Sequence, residues 1–231
     1  MNKNELKTFN GKFLRDSGVR TINPQTQPKG NVRQTLKTGT TTVGLVCKNA
    51  VVLGTDKRAT MQYFVASKTA EKLHEIQEHL WMTIAGSVAD AQYLIDVLKA
   101  ETTLYQLKKE EPIKIKTAGQ MLSNILYQSK QFPYQVGHIL GGVDITGPVL
   151  LDIGAYGSIL PEKYCSIGSG QNFSYGVLEA KYKDGLSPEE GKEIIKKAIT
   201  SSIIRDMASG NGIDVVVIYA DKPPEREFVS I

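Results

Sequence analysis

The sequence has few of the residues that build disulfide-stapled or metal-stapled domains. Its 231 residues include only two cysteines, Cys47 and Cys165, and three histidines. The cysteines form no CxxC pair, which excludes a disulfide framework and a zinc site built on cysteines. His74 and His79 are one residue further apart than the histidines of HExxH zinc peptidases, and His138 stands alone. We therefore expect structural roles for the histidines, no metal site and no other cofactor.

Long apolar runs and nucleotide motifs are also missing. Apolar runs such as 215–218 are short, whereas a membrane-spanning helix needs about 20 apolar residues. The sequence contains neither a GxSxG elbow nor a GK[ST] motif. Gly168-Ser169-Gly170 begins like GxGxxG, but Phe173 stands where the third glycine should be. These absences argue against a membrane protein, a nucleotide-binding protein and an α/β-hydrolase.

Charge divides the chain into two parts. Residues 1–39 carry eight Lys and Arg against two acidic residues, a net charge of +6, whereas residues 40–231 have a net charge of −2. The first segment lacks alanine and shows no lasting apolar period, so it cannot bury enough surface to offset its ordering entropy. We interpret it as a flexible tail or a removable segment. A basic patch for nucleic acid should lie on a folded surface, so we expect no nucleic-acid binding; a non-enzymatic binding module with a basic tail is the alternative.

The body of the chain predicts an α+β layered fold. Apolar alternation and β-branched residues predict strands at 41–47, 50–55, 64–67, 81–85, 136–144, 149–153 and 213–220. Helices are predicted at 88–109, from Thr117 with Gln120 completing a capping box, and from Ser187 to about Asp206. Runs of strands followed by runs of helices favour an α+β fold over a doubly wound one.

A possible nucleophile lies where tail composition changes to strand composition, at Gly39-Thr40-Thr41-Thr42. If the chain were cut after Gly39, Thr40 would carry both a hydroxyl and a free α-amine. Because an α-amine has a pKa of about 7.7–8.0, it can act as the base for its own hydroxyl. A threonine-rich strand without catalytic function is the other reading of these residues.

Several residues after Thr40 lie at characteristic distances from it in the sequence. Asp56, Lys72 and Gly86 lie 16, 32 and 46 residues after it. Further on come the Gly168-Ser169-Gly170 motif and the run Arg205-Asp206-Met207-Ala208-Ser209-Gly210. In this combination and order, residues 38–220 closely resemble the proteasome β-subunit family, with the archaeal type as the nearest match.

The resemblance implies the N-terminal-nucleophile hydrolase fold, a four-layer αββα sandwich. It also implies a propeptide at 1–39 that is removed by self-cleavage after Gly39, and a catalytic domain at 40–231 with threonine endopeptidase activity. Its nucleophile would be Thr40, with Lys72 beside the hydroxyl, Asp56 paired to Lys72, and the Gly86 N–H donating to the oxyanion. The Thr40 amine would be oriented by Ser169, Asp206 and Ser209.

The resemblance further implies a substrate pocket and a set of partners. The residue before the scissile bond would contact Ala59, Ala70, His74, Ile84 and Val88. Because none of these is acidic, we expect a broad chymotrypsin-like preference for large apolar residues. The expected partners are other β subunits and proteasome α subunits in stacked seven-membered rings, a regulatory ATPase contacted only through the α rings, and unfolded protein substrates in the cytoplasm. An inactive scaffold β subunit and an N-terminal-nucleophile amidase acting on small molecules remain alternatives.

Overall fold

Two five-stranded antiparallel sheets form the centre of the computed structural model, which describes residues 39–231. The strands are β1 (Thr41–Val46), β2 (Ala50–Asp56), β3 (Ala59–Met61), β4 (Phe64–Ser67), β5 (Leu73–Gln77), β6 (Leu80–Gly86), β7 (Val136–Asp144), β8 (Gly147–Ile153), β9 (Ile159–Pro161), β10 (Tyr164–Gly168), β11 (Ile213–Tyr219) and β12 (Glu225–Val229). The helices of the described part are α1 (Val88–Lys109), α2 (Ile115–Gln128), α3 (Gln171–Lys181) and α4 (Pro188–Arg205).

The two sheets differ in the sequence separation between neighbouring strands. The first has the order β10-β1-β2-β11-β12 and joins both ends of the described chain, whereas the second has the order β5-β6-β7-β8-β9 and is a simple meander. The strands β3 and β4 form a separate hairpin. Every residue of β2 is buried, as expected for the middle strand of a covered sheet.

Four layers result, because each sheet carries a helix pair on its outer face. The helices α1 and α2 pack on the second sheet, and α3 and α4 pack on the first. Between the sheets lies an apolar layer that includes Leu53, Trp81, Ile139 and Val216. The predicted four-layer αββα sandwich is thus confirmed.

The helix starts show where local sequence was a sound guide. The capping box predicted at Ser187 is present: the Glu190 N–H donates to Ser187 Oγ, and the Ser187 N–H donates to the Glu190 carboxylate. The box predicted at Thr117 is wrong, because α2 begins two residues earlier, at Ile115. There the Ile115 N–H donates to the Asp144 carboxylate at 2.8 Å, so a tertiary contact satisfies the helix end.

Several short strands were not predicted. The strands β5 and β9 are only five and three residues long, and β12 follows Ala220, where the sequence shows no motif. The helix 88–109 was predicted with its correct bounds. The predicted removable segment 1–39 lies outside the described residues except for Gly39. No helix among the described residues is long and apolar enough to cross a membrane.

His138 is a fully buried histidine in β7. It pairs with Ile84 and Ile153 and shares their face, between the second sheet and its helices. Neither ring nitrogen makes a hydrogen bond of normal geometry within residues 39–231. Burial lowers the pKa of His138 to about 4, and the Thr83 backbone opposes this shift only in part.

We expect His138 to make the fold acid-sensitive. Its folded pKa lies below the usual 6.5, so the unfolded chain binds more protons between these values and stability falls as pH drops from about 6.5 to about 4. The full loss is about 3 kcal/mol. Urea unfolding of the full chain at several pH values should show a shallower pH dependence for His138→Leu than for the unchanged chain. An equal slope in the two proteins would contradict the prediction.

Candidate active site

Thr40 lies buried immediately before β1, with contacts on both sides of its peptide bond to Gly39. The Thr40 hydroxyl donates to the Gly39 carbonyl oxygen at 2.6 Å. The Thr40 N–H donates to Ser169 Oγ at 3.1 Å. The hydroxyl is therefore held beside the carbonyl that precedes it, while the amide is held by the serine that directly follows β10.

A chain of hydroxyl and carboxylate groups extends from this amide. Ser169 Oγ lies 2.6 Å from Asp206 Oδ2, and the Ser209 hydroxyl donates to the same oxygen at 2.7 Å. Thr41 Oγ1 lies 2.7 Å from Ser209 Oγ. Because Ser209 gives its proton to the carboxylate, Thr41 is the donor in this last bond. Predicted residues far apart in sequence thus meet around the Thr40 nitrogen.

The two glycines beside Ser169 allow it to come this close. Gly168 has φ of +111°, and a Cβ there would overlap the Thr40 carbonyl oxygen. A Cβ on Gly170 would overlap Thr41 Oγ1. The Gly-Ser-Gly motif is therefore explained by close backbone approach to β1.

The Asp56 carboxylate is fully buried and fully hydrogen-bonded. Its Oδ1 accepts from the Thr41 N–H at 2.9 Å and from Lys72 Nζ at 2.7 Å. Its Oδ2 accepts from the Arg58 N–H at 3.0 Å and from the Gly210 N–H at 2.9 Å. Four donors from four segments therefore fix this anion at the end of β2.

Lys72, directly before β5, is a buried cation with two acceptors. Besides Asp56, it donates to the Arg58 carbonyl oxygen at 2.5 Å. Burial lowers the pKa of Lys72, and the nearby Asp56 carboxylate opposes that shift. A lysine with a lowered pKa releases its proton more readily than a surface lysine. Since Lys72 and the Thr41 N–H share one oxygen of Asp56, the cation lies close to the start of β1.

Arg58 is a part of the site that the motif analysis did not single out. Its guanidinium donates to the Met207 carbonyl and to the Asn211 side chain, both at 2.8 Å. A Cβ on Gly210 would overlap this guanidinium, so the arginine lies flat against the loop that carries Ser209. The only local signal for this role is that Arg58 comes two residues after Asp56.

Gly86 and the predicted pocket residues are spread over several elements and loops. Gly86 ends β6 with φ of +113°, where a Cβ would overlap the Gln135 carbonyl oxygen. Ala59 begins β3, Ala70 precedes Lys72, and Val88 begins α1. His74 and Ile84 lie on β5 and β6, where Ile84 is buried and His74 is partly buried with a pKa lowered mainly by burial. The hydrogen-bonded cluster around Thr40 and Asp56 includes none of these six residues.

The cysteines and the other histidine have ordinary structural surroundings. Burial raises the pKa of Cys47 to about 12, and its thiol contacts the Ser187 carbonyl oxygen. A ring nitrogen of His79 lies 2.8 Å from the Ile113 carbonyl oxygen. Within residues 39–231, no group of three or more His, Cys, Asp or Glu side chains is arranged to hold a metal ion.

A family model and the related proteins all point to one protein family. The family model described as "Proteasome subunit" matches residues 36–218. "Proteasome subunit beta" of Methanohalophilus mahii is 48% identical over 184 residues, which cover 79% of this chain and 88% of the relative. "Proteasome subunit beta" of Ferroglobus placidus is 45% identical over 194 residues, covering 84% and 90%. "Proteasome subunit beta 2" of Aeropyrum pernix is 44% identical over 190 residues, covering 82% and 86%.

The family model spans nearly the whole described body, from just before Thr40 to Ile218 in β11. The four-layer sandwich is the N-terminal-nucleophile hydrolase fold of that family. The chain therefore belongs to the proteasome family and, within it, to the β subunits of archaeal type.

Proposed function

We propose that this β subunit is a threonine endopeptidase of the proteasome core, with Thr40 as its nucleophile. The observation that carries the proposal is the geometry at the 39–40 peptide bond. The Thr40 hydroxyl oxygen is 2.6 Å from the Gly39 carbonyl oxygen, and the Thr40 N–H donates a hydrogen bond to Ser169 Oγ. A cut at this bond would leave a hydroxyl and a free amine on one residue, next to Thr41, whose N–H shares an oxygen of Asp56 with Lys72.

The self-cleavage proceeds in two steps. Thr40 Oγ1 attacks the Gly39 carbonyl carbon and passes its proton to a water molecule, and the C–N bond then breaks as the Thr40 nitrogen takes up that proton and leaves as an amine. The resulting ester joins Gly39 to the Thr40 oxygen. Water then hydrolyses the ester, which releases residues 1–39 with a carboxylate on Gly39 and restores the hydroxyl.

In the mature subunit the same hydroxyl attacks substrate peptides. The Thr40 amine takes the hydroxyl proton, and Ser169, Asp206 and Ser209 hold this amine in place. The Lys72 ammonium favours the ionised nucleophile, while Asp56 fixes the lysine. The Gly86 N–H donates to the oxyanion that forms on the attacked carbonyl.

Assembly would confine this activity. Membership of the family makes the chain a subunit of the multi-subunit proteasome core. In the proposed arrangement, seven-membered β rings stack between α rings in the cytoplasm, and a regulatory ATPase contacts only the α rings. Unfolded proteins that enter the chamber would then be cut to peptides.

The first test concerns Thr40 itself. Thr40→Ala should retain residues 1–39, because it removes the attacking oxygen, whereas Thr40→Ser should still lose them. Intact mass of the purified chain after assembly measures the loss. Release of the segment at Gly39 by Thr40→Ala, with no active subunit present, would exclude Thr40 as the nucleophile. An unchanged chain that assembles yet stays uncut would support the scaffold alternative.

The second test compares two neighbouring lysines. Lys72→Arg keeps the positive charge, but the larger planar guanidinium cannot take the buried place of the ammonium between Asp56 and the Arg58 carbonyl oxygen, so we expect peptide hydrolysis to fall at least about 100-fold. Lys57→Arg is the matched control, since Lys57 also pairs with an aspartate, Asp214, at 2.7 Å. It should retain most of the activity. Retained activity in Lys72→Arg would mean that a positive charge at this position is sufficient, and equal losses in the two variants would mean that Lys72 has no role beyond that of Lys57.

The third test concerns specificity. The proposed pocket residues Ala59, Ala70, His74, Ile84 and Val88 include no acid, and Ile84 is buried. Peptides with Leu, Phe or Tyr before the scissile bond should therefore be cut at least about tenfold faster than those with Arg or Glu, because an unpaired charge is costly to bury. Rates measured on the same particle provide the internal control. Faster cleavage after Arg or Glu would show that these side chains do not form the pocket.

A further inference from the structure

Gly39 has close contacts at its N–H, at its carbonyl oxygen and at its α-carbon. Its N–H donates to Thr60 Oγ1 at 2.9 Å in a buried hydrogen bond. Its carbonyl oxygen accepts from Thr40 Oγ1 at 2.6 Å. A Cβ added to Gly39 would overlap the Ala208 methyl group and lie 2.8 Å from Ala208 Cα.

We propose that Thr60 and Ala208 are positioning residues for self-cleavage: Thr60 orients the residue before the cut, and Ala208 restricts that residue to glycine. The inference rests on the proposed function, because it concerns the cut between Gly39 and Thr40. It adds two residues that lie outside the predicted catalytic set.

Thr60 acts through the orientation of Gly39. The residue is fixed by a hydrogen bond at its N–H and another at its carbonyl oxygen, so the carbonyl plane has a defined direction relative to the Thr40 hydroxyl. Reactions of this kind depend on the approach of the reacting atoms, and a misplacement of about 1 Å can reduce the rate about 100-fold. The hydrogen bond from Gly39 to Thr60 therefore bears on the rate of the cut.

Ala208 acts through a steric contact, and hydrogen bonds in its turn fix its position. It lies in the turn after α4, where its N–H donates to Asp206 Oδ1 at 3.2 Å and the Ser209 N–H donates to the Asp206 carbonyl oxygen at 3.1 Å. Asp206 and Ser209 also belong to the hydrogen-bonded chain at the Thr40 nitrogen. A side chain at position 39 would therefore displace either the scissile peptide bond or the turn that carries the site.

The same overlap separates self-cleavage from peptide hydrolysis. Almost every substrate residue before a scissile bond carries a Cβ, which cannot occupy the place of Gly39. Substrates must therefore enter with a different backbone placement. Self-cleavage is then specific for glycine, while peptide hydrolysis is not.

Processing of the full chain tests both roles, with the loss of residues 1–39 followed over time by intact mass. Gly39→Ala should slow the cut about 100-fold, and adding Ala208→Gly should recover a measurable part of that loss by removing the overlapping methyl group, while Ala208 Cα would still lie 2.8 Å from the new Cβ. Thr60→Val should slow the cut roughly two- to tenfold through the lost hydrogen bond. Thr60→Ser, which keeps the hydroxyl, should restore the native rate, an outcome that a purely structural role for the methyl group would not produce.

A second form of the protein separates failure of this inference from failure of the proposed function. In this form residues 40–231 are fused to a leader, and an unrelated protease cuts directly before Thr40. Residue 39 is absent from it, so its peptide hydrolysis reports on Thr40 alone. If that form is active while Gly39→Ala is cut at the native rate, or while Ala208→Gly gives no recovery, the role of Ala208 is wrong. If Thr60→Val is cut as fast as Thr60→Ser, the role of Thr60 is wrong. An inactive released form would instead overturn the proposed function.

Discussion

The buried carboxylate of Asp56 is the interaction on which the site depends. An ionised group without contact to water is costly unless donors surround it. Here the donors come from the start of β1, from the residue before β5 and from the loop after α4, with Thr41, Lys72 and Gly210 among them. The carboxylate therefore ties the two sheets and the loop together at one point. Loss of either Asp56 or Lys72 would leave the other charge buried and unpaired.

A second ion pair nearby shows what is particular about the first. Lys57 pairs with Asp214, which Arg226 also contacts at 3.0 Å, and the Lys57 and Arg226 side chains both reach solvent. In contrast, the side chains of Asp56 and Lys72 are almost wholly buried. Burial is what lowers the pKa of Lys72. Two lysine–aspartate pairs of the same composition thus differ in their environment, because only the Asp56–Lys72 pair is buried away from solvent.

Sequence reasoning succeeded where the signal was local or carried by a motif. The helix Val88–Lys109 and the capping box at Ser187 follow from residues within a few positions of one another. It failed at Ile115, whose N–H is satisfied by Asp144, 29 residues away. Thr60 and Ala208 were missed for the same reason. Their contacts with Gly39 join segments 21 and 169 residues apart, and neither residue type is distinctive in its own surroundings.

The contacts of the Thr40 nitrogen are compatible with two chemical states. In the uncut chain it is an amide N–H that donates to Ser169 Oγ. On the proposed mechanism it becomes an amine after the cut, which can donate to the same oxygen, so Ser169, Asp206 and Ser209 need not rearrange. The amide, however, has no basic lone pair, so the first cut proceeds without the base that serves every later one. The precise placement of Gly39 between Thr60 and Ala208 then matters most for that first reaction, where positioning must substitute for the missing base.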